Sequence, residues 1–362
     1  MQSEWGHTLR LTVSGGSHEP EIGIALDGLP RGLHIDVDAL QGFLSRRAPG
    51  HGVGSTSRTE TDRILVRSGL SNGITDGSVF CAVIENTNYD SKPYDRFSDT
   101  PRPSQIDLPA RWRFGDGIDL RGGGHFSGRM TAAYCVAGGI AYQALSSLGV
   151  RIAAHLLSVG DVQDEPFDPV SPDPESFQAL QSKPFPVLND EKGRDMQSLI
   201  ERVQQERDSV GAVIECIVTG FPKGYGTPLF DGIDSRLSSL LFAVPAVRGV
   251  AFGSGFESAR MRGSAHNDAY LKRDGEIKTE TNRHGGIIGG ISTGMPIVFT
   301  VAVKPAASIA LPQKTLCLSA GVQTTLTIEG RHDACIAVRA VPVIEAVAAL
   351  TLYDLYLEET VC

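Results

Sequence analysis

An uncharged segment over residues 130–150 constrains the fold of this chain more than any other feature of the sequence. Its length would let it cross a bilayer, since a membrane-spanning helix needs about 20 mainly apolar residues. It also contains Thr131, Gln143 and several glycines and serines, so we favour a helix buried at the centre of a globular protein. We expect this helix to end near Leu148, because Gly149 is a typical stop signal.

The other predicted elements alternate between strands and helices, and they favour one α+β domain over residues 1–362. Several strands look hairpin-linked, so a doubly wound parallel sheet is the less favoured alternative. The expected strands cover 9–14, 22–28, 63–68, 78–85, 211–219, 247–252 and 295–303. One expected helix follows Asp36, two cover 191–207 and 232–243, and the last has Pro342 in its first turn. Residues 164–186 are rich in proline and acids, and we interpret them as an exposed insertion.

Charge and cysteine spacing exclude several classes of protein. Lys and Arg number 33 against 42 Asp and Glu, and the net charge of −9 argues against a general nucleic-acid binding surface. Six cysteines form no C-x-x-C, and the first residues do not resemble a signal peptide, so we expect free thiols in a cytoplasmic protein. The sequence lacks G-x-x-x-x-G-K-[ST], G-x-G-x-x-G and H-E-x-x-H, and both G-x-S-x-G matches precede predicted strands instead of helices.

Two irregular segments near the start of the chain collect residues with catalytic or anion-binding potential. Residues 14–19 place His18 among glycines after a strand, where it can donate a proton to a leaving group, or simply occupy a turn. Residues 46–50 contain Arg46 and Arg47 at a predicted helix end. These arginines can clamp a carboxylate or phosphate, or merely complement the helix dipole.

Two further segments have the same character. Between residues 102 and 129, three glycines precede the central helix with an arginine on each side, which suits phosphate but also fits a plain hinge. The glycine pairs of 285–290 can support a flat ring. Lys304 ends a buried strand and so needs an anion or water, and Arg331 and Asp333 combine an anion binder with a potential base. Ordinary turns with a solvated lysine are the alternative.

Taken in order, these segments resemble the chorismate synthase family along the whole chain. Each motif is weak alone, whereas the ordered set is specific. The matching motifs are Ser17-His18, Arg46-Arg47-x-Pro49-Gly50, Ile84-Glu85-Asn86-Thr87, Arg102-Pro103, Arg121-Gly122-Gly123-Gly124, Arg262-Gly263-Ser264, residues 285–292, Lys304-Pro305, residues 330–334 and residues 336–342.

The resemblance implies a helical layer between antiparallel β-sheets, in a homotetramer that binds a small anionic substrate and neither nucleic acid nor membrane. It also implies a reaction: 1,4-anti elimination of phosphate and a C6 proton from 5-enolpyruvylshikimate 3-phosphate to give chorismate. Family members need reduced FMN, which lends electron density while phosphate leaves. NADPH is implied only if the protein reduces its own flavin.

The family's residue roles carry over to matching positions of this sequence. His18 resembles the acid that assists phosphate departure, Asp333 lies where a family aspartate approaches the flavin, and Gln105 replaces a second catalytic histidine. The positions implied to bind substrate are Arg47, Arg102 and Arg129. The positions implied to bind the flavin are His125, Phe126, Ser127, Ala246, Gly289, Lys304, Ala307, Ser308 and Arg331.

Departures from the family pattern leave other functions open. Gln105 cannot titrate as a histidine does. Ala48, Val53 and His125 replace family arginines, and each lost charge-assisted bond costs about 1.5–3 kcal/mol unless His51 or another residue compensates. The first alternative is a paralogue that performs a flavin-assisted elimination on a related, less anionic cyclohexene acid. The second is a relative that binds flavin without catalysis.

Overall fold

The computed structural model describes residues 1–48, 62–86, 97–273, 275–328 and 333–361. The helices are α1 (Val37–Ser45), α2 (Asp107–Phe114), α3 (Thr131–Ser147), α4 (Glu175–Ser182), α5 (Asp190–Gln205), α6 (Ile233–Phe242), α7 (Gly263–His266) and α8 (Ala337–Val361). The strands are β1 (Gln2–Trp5), β2 (Arg10–Gly15), β3 (Glu21–Asp27), β4 (Ile64–Ser68), β5 (Leu70–Ser71), β6 (Ile74–Thr75), β7 (Phe80–Glu85), β8 (Arg151–Val159), β9 (Val162–Gln163), β10 (Ala212–Thr219), β11 (Val247–Phe252), β12 (Tyr270–Arg273), β13 (Glu276–Thr279), β14 (Ile287–Ile288), β15 (Ile291–Ser292), β16 (Ile297–Val303), β17 (Gln313–Cys317) and β18 (Val322–Leu326).

Two five-stranded antiparallel sheets enclose a layer of helices. The first sheet has the strand order β1-β2-β3-β7-β4, and the second has the order β11-β16-β10-β8-β9. In β3, Ile22, Ile24 and Leu26 alternate with more exposed residues and point into the core, as a half-buried strand requires. Helix α3 packs on β3 and on α8, and α8 packs on β8 and β10. This arrangement confirms the predicted α+β class with helices between antiparallel sheets.

Most predicted elements are present, and the central helix is confirmed as α3, which is buried along nearly its whole length. Asp36 caps α1 as expected, since its carboxylate accepts a hydrogen bond from the Ala39 N–H at 2.9 Å. Helix α2 was not expected, because the sequence around it has no clear apolar period. The prediction that Pro342 lies in the first turn of the last helix is wrong, because Pro342 is inside α8. Burial of Ala337, Val338 and Val341 outweighs the one hydrogen bond that an internal proline removes, and α8 begins five residues earlier.

Helix α8 is the one described helix whose length and composition would also suit a membrane span, with a mean hydropathy of 1.5. It is nevertheless a core helix, because 89% of this segment is buried inside the protein. Two of its buried side chains are acids that are paired with arginines from other elements. Glu345 accepts hydrogen bonds from Arg46, and Asp354 accepts one from Arg236.

A buried histidine anchors the segment 164–186 to the second sheet. The segment's acids and prolines are largely exposed, whereas Phe167, Phe177 and Leu180 are buried. His155 on β8 lies between two carboxylates, with Nδ1 3.1 Å from Asp164 and Nε2 3.0 Å from Glu215. Carboxylates only accept hydrogen bonds, so both ring nitrogens donate and the imidazole is positively charged. Burial alone would lower the pKa of His155, but the two acids outweigh it and raise that pKa.

The raised pKa makes the stability of the protein depend on pH. The contribution of His155 is complete below the histidine's unfolded pKa and is lost as pH rises through the folded value. We expect the free energy of unfolding of wild type to fall over that range relative to His155→Gln, which cannot carry the charge. Urea unfolding of both proteins from pH 6 upward measures the difference, and parallel pH curves would contradict it.

The contact between α3 and α8 depends on Gly138. A Cβ at this position would lie 2.5 Å from the Ala346 carbonyl oxygen and 2.6 Å from its Cα. We therefore expect Gly138→Ala to lower the free energy of unfolding by about 1–3 kcal/mol through overpacking. Gly42 in α1 has open space around it, and Gly42→Ala should raise stability by about 0.5–1 kcal/mol. Denaturant unfolding of the two variants provides the matched comparison.

Candidate active site

His18 lies buried in the turn between β2 and β3, against the three-glycine turn that precedes α3. The Ser17 N–H donates to the Gly124 carbonyl at 3.1 Å, which joins the two turns. Gly122 has a φ of 62°, and a Cβ there would lie 2.4 Å from His18 Cδ2. Only glycine therefore permits this approach of the imidazole to the backbone.

His125 follows the same glycines, but protein groups occupy its ring. Its Nδ1–H donates to the Gly15 carbonyl at 2.7 Å, and its Nε2 accepts from the Ser3 hydroxyl at 2.9 Å. Phe126 packs on Phe114 with ring centroids 6.1 Å apart. The Ser127 hydroxyl accepts from the Arg129 N–H at 3.3 Å. These contacts explain how the three residues are held, and the ring nitrogens of His125 do not contact Gln105.

Three arginines converge beside the His18 turn, and together with two carboxylates they form what we call the arginine cluster: Arg47, Arg129, Arg339, Asp62 and Asp333. Arg47 donates to Asp62 at 2.8 Å and to the Thr131 hydroxyl at 3.0 Å, and Arg129 donates to the other oxygen of Asp62. Arg339 donates to Asp333 at 2.7 Å. Among the residues that the structure describes, three guanidinium groups of this cluster face two carboxylates.

The electrostatics of Arg47 reflect this concentration of charge. Burial and the neighbouring Arg339 lower its pKa to about 10, although Asp62 acts in the opposite direction and Arg129 adds to the lowering. The group is still charged at neutral pH. An anion that entered the cluster would relieve the repulsion between the guanidinium groups, so the cluster is suited to bind phosphate or carboxylate.

Asn86 connects the His18 turn to the arginine cluster. Its amide nitrogen donates to the carbonyls of Gly16 at 3.1 Å and Glu19 at 2.7 Å, and its amide oxygen accepts from Arg129 Nε at 3.0 Å. At the other end of the cluster, Arg339 Nε donates to the Arg47 carbonyl at 3.0 Å. A continuous hydrogen-bonded series therefore runs from the turn that holds His18 to the carboxylate of Asp333.

A second group of predicted residues assembles at one end of the second sheet. Arg102 makes a paired interaction with Asp107 through Nε at 2.8 Å and Nη2 at 2.7 Å. The Gln105 amide donates to the Ser308 hydroxyl at 3.2 Å. Lys304 Nζ donates to the Ser104 carbonyl at 3.1 Å. The structure thus brings Gln105, Lys304 and Ser308 together with Arg102, although the resemblance implied that Arg102 binds substrate beside Arg47 and Arg129.

Lys304 lies in a strained and positively charged environment. Its N–H donates to the carbonyl of Ala246 at 2.9 Å. Ala246 and Ser104 both have positive φ angles, 74° and 56°, which are uncommon outside glycine and concentrate at functional sites. Burial and the nearby Arg248 lower the pKa of Lys304. Within the described part of the chain no carboxylate forms an ion pair with Lys304, so this group too is suited to an anion.

Two hydrogen bonds connect this second group to the arginine cluster. The Ser209 hydroxyl donates to the Ala306 carbonyl at 2.7 Å, next to Ala307. The following residue, Val210, donates its N–H to the Ala334 carbonyl at 2.9 Å, next to Asp333. The second group and the arginine cluster therefore lie on either side of the short segment 209–210.

Gly289 does not join the others within one chain. It forms the turn of the β14–β15 hairpin, which is held by Thr227 and by the start of α6. This hairpin lies beside the Ile297 end of β16, whereas Lys304 follows the Val303 end, about 20 Å away along the strand. Gly289 and Lys304, which the resemblance implies both bind the flavin, therefore do not lie together within a single chain. Arg331 and His51 lie outside the described residues.

Sequence reasoning missed three residues that organise the site. Arg339 and Asn86 are in the motifs that carry the family resemblance, and that position in a motif was the available signal. Asp62 lies in a polar segment before β4, and no pattern marks it.

Comparison with known proteins identifies the family. The sequence profile described as chorismate synthase matches residues 9–357. A chorismate synthase from Lancefieldella parvula is 41% identical over 98% of this chain and 96% of its own length. One from Korarchaeum cryptofilum is 40% identical over 97% and 96%. A crystal structure of chorismate synthase superimposes with a TM-score of 0.76, at 25% identity over 98% of this chain and 93% of the other. The chain therefore belongs to the chorismate synthase family.

Proposed function

We propose that this protein converts 5-enolpyruvylshikimate 3-phosphate to chorismate by 1,4-anti elimination of phosphate, with reduced FMN as cofactor. Family membership makes the chain a lyase of the chorismate synthase type. The observation that carries the finer proposal is the arginine cluster, which places three guanidinium groups between the His18 turn and Asp333. An elimination that loses both a phosphate and a proton needs an anion clamp with an acid and a base near it.

The residues of the chain have separate tasks in this proposal. Arg47, Arg129 and Arg339 bind the anionic groups of the substrate and stabilise the charge that develops on the departing phosphate. His18 donates a proton to that phosphate. Asp333, kept in place by Arg339, accepts the proton that leaves C6. The burial of His18 and Arg47 excludes water from the reacting groups, which strengthens these interactions.

The second group of residues fits the flavin. Reduced FMN, when bound, supplies electron density to the substrate as phosphate leaves. Lys304 and Arg248 form a positive site without a described carboxylate partner, which suits the phosphate of FMN. Gln105, Ser308 and Arg102 offer hydrogen-bonding groups nearby. We propose that these residues hold the cofactor. We also propose that the protein is a cytoplasmic homotetramer. In that assembly the Gly289 hairpin contributes to the flavin site only if a second chain supplies it.

Chorismate formation under anaerobic conditions with chemically reduced FMN tests the proposal. Wild type should consume the enolpyruvyl substrate and release phosphate and chorismate in equal amounts. Flavin binding without this turnover, together with elimination from a less anionic cyclohexene acid, would instead show that the protein is a paralogue with a different substrate. The replacement of a family histidine by Gln105 favours that alternative. Flavin binding without any turnover would select the non-catalytic relative.

Gln105 provides a prediction that separates these readings. His125 uses both ring nitrogens in contacts with Gly15 and Ser3, so it is not free to replace a histidine at position 105. If the enolpyruvyl substrate is accepted, Gln105→His should raise kcat by about two- to tenfold, which is less than the usual ~10²–10⁴-fold of a general acid–base group because wild type already turns over without it. The same assay measures it, with Gln105→Asn as a control that cannot titrate. A dead wild type that Gln105→His does not rescue would favour the paralogue.

A further inference from the structure

Asp62 lies at the centre of the arginine cluster and is almost completely buried. Its Oδ2 accepts a hydrogen bond from Arg47 Nη1 at 2.8 Å, and its Oδ1 accepts one from Arg129 Nη1. The side chains of both arginines are themselves less than a tenth exposed. One carboxylate therefore fixes two buried guanidinium groups, each through a different oxygen.

The two arginines belong to different parts of the site. Arg129 is bound through Asn86 to the turn that holds His18. Arg47 accepts a hydrogen bond from Arg339, which in turn holds Asp333. Among the described residues Asp62 is the one side chain that contacts both arginines through charge. It consequently connects the part of the site with the candidate acid to the part with the candidate base.

Charge alone does not explain this arrangement. A carboxylate anywhere near Arg47 would reduce repulsion from Arg339 and Arg129. Asp62 instead contributes one oxygen to each arginine, and Arg47 keeps further bonds to Thr131 and to the Gly128 carbonyl. Such a bridge sets the separation of the two guanidinium groups as well as their charge, and separation determines which anion fits between them.

We propose that Asp62 is a positioning residue that holds Arg47 and Arg129 at the spacing required to bind the phosphate group of the substrate. This inference rests on the proposed function for the identity of the substrate. The arrangement of the arginines, however, can be tested with inorganic phosphate alone.

The experiment compares wild type, Asp62→Asn and Asp62→Glu. Calorimetry with inorganic phosphate gives a Kd for each protein, and the anaerobic assay gives kcat and KM. For Asp62→Asn we expect KM and the phosphate Kd to rise together by about 10–100-fold, the usual range for a lost charge-assisted interaction, while kcat falls less. Asp62→Glu keeps the charge but displaces it by one methylene, and its Kd should lie between the other two.

Asp354→Asn is the matched control, because Asp354 is also a buried aspartate bound to an arginine but lies on α8 away from the site. Below its unfolding temperature it should keep the wild-type KM and phosphate Kd.

A tighter phosphate Kd in Asp62→Asn would show that Asp62 only neutralises charge, and a wild-type Kd in Asp62→Glu would show that spacing does not matter. Either result overturns the proposal. If Asp62→Asn does not fold, Asp62→Glu decides. A wild type that binds phosphate but makes no chorismate would refute the proposed function and leave the Kd comparison as the test of Asp62.

Discussion

Replacing Asp354 by alanine should lower the free energy of unfolding by about 3–5 kcal/mol, because it leaves a buried charge and several backbone donors without their acceptor. The carboxylate accepts hydrogen bonds from the N–H groups of Leu9 at 2.7 Å, Thr8 at 2.9 Å and His7 at 3.2 Å. It also accepts from Arg236 Nη2 at 2.7 Å. This one side chain on α8 therefore fixes the connection between β1 and β2 and, through Arg236, the side of α6.

Glu358 offers the control for this prediction. It accepts from the other nitrogen of Arg236 at 2.5 Å, but its side chain is 40% exposed, against 0% for Asp354. Glu358→Gln should cost less than about 1 kcal/mol, since exposed ion pairs contribute little. Denaturant unfolding of the two variants and of wild type measures the difference. Equal effects would mean that burial of the Asp354 pair is not what stabilises the junction.

Local patterns predicted the frame of the fold because local forces form most of its elements. The alternation of Ile22, Ile24 and Leu26 predicts β3, and the cap at Asp36 predicts α1. Those signals lie within one element and need no knowledge of its neighbours. The start of α8 could not be predicted in this way. The burial of Ala337 and Val338 against other elements decides it, and that burial exists only in the folded protein.

The same distinction between local signals and long-range contacts applies to the site. Family motifs marked His18, Arg47, Arg129 and Lys304, and the structure places each of them in one of two connected groups. The partner of a charge is a different question, because it depends on distances between segments far apart in the sequence. Asp62 is 67 positions from Arg129 along the chain, and no motif links the two. Gly289 shows a different error. The family motif assigned Gly289 and Lys304 to the same ligand, but a motif does not show that the two residues lie near opposite ends of β16.

His18→Ala should lower kcat by about 10²–10⁴-fold, the usual contribution of a positioned general acid. The imidazole is buried against Gly122, and the Ser17–Gly124 contact fixes its turn. The substitution removes the imidazole and leaves the hydrogen bond from the Ser17 N–H to the Gly124 carbonyl in place. FMN binding should change by less than about twofold, because Lys304 and Ser308 belong to the other group of residues.

Two further variants separate proton donation from packing. His18→Gln retains hydrogen-bonding capacity but cannot titrate, so it should be nearly as inactive as His18→Ala and should lose one limb of the pH–rate profile. His34→Ala, at an exposed histidine outside the site, should retain wild-type kcat. Chorismate formation with reduced FMN across pH 5–9 measures all three proteins. Full activity in His18→Gln would assign the residue a packing role, and the acid would then have to be sought elsewhere along the arginine cluster.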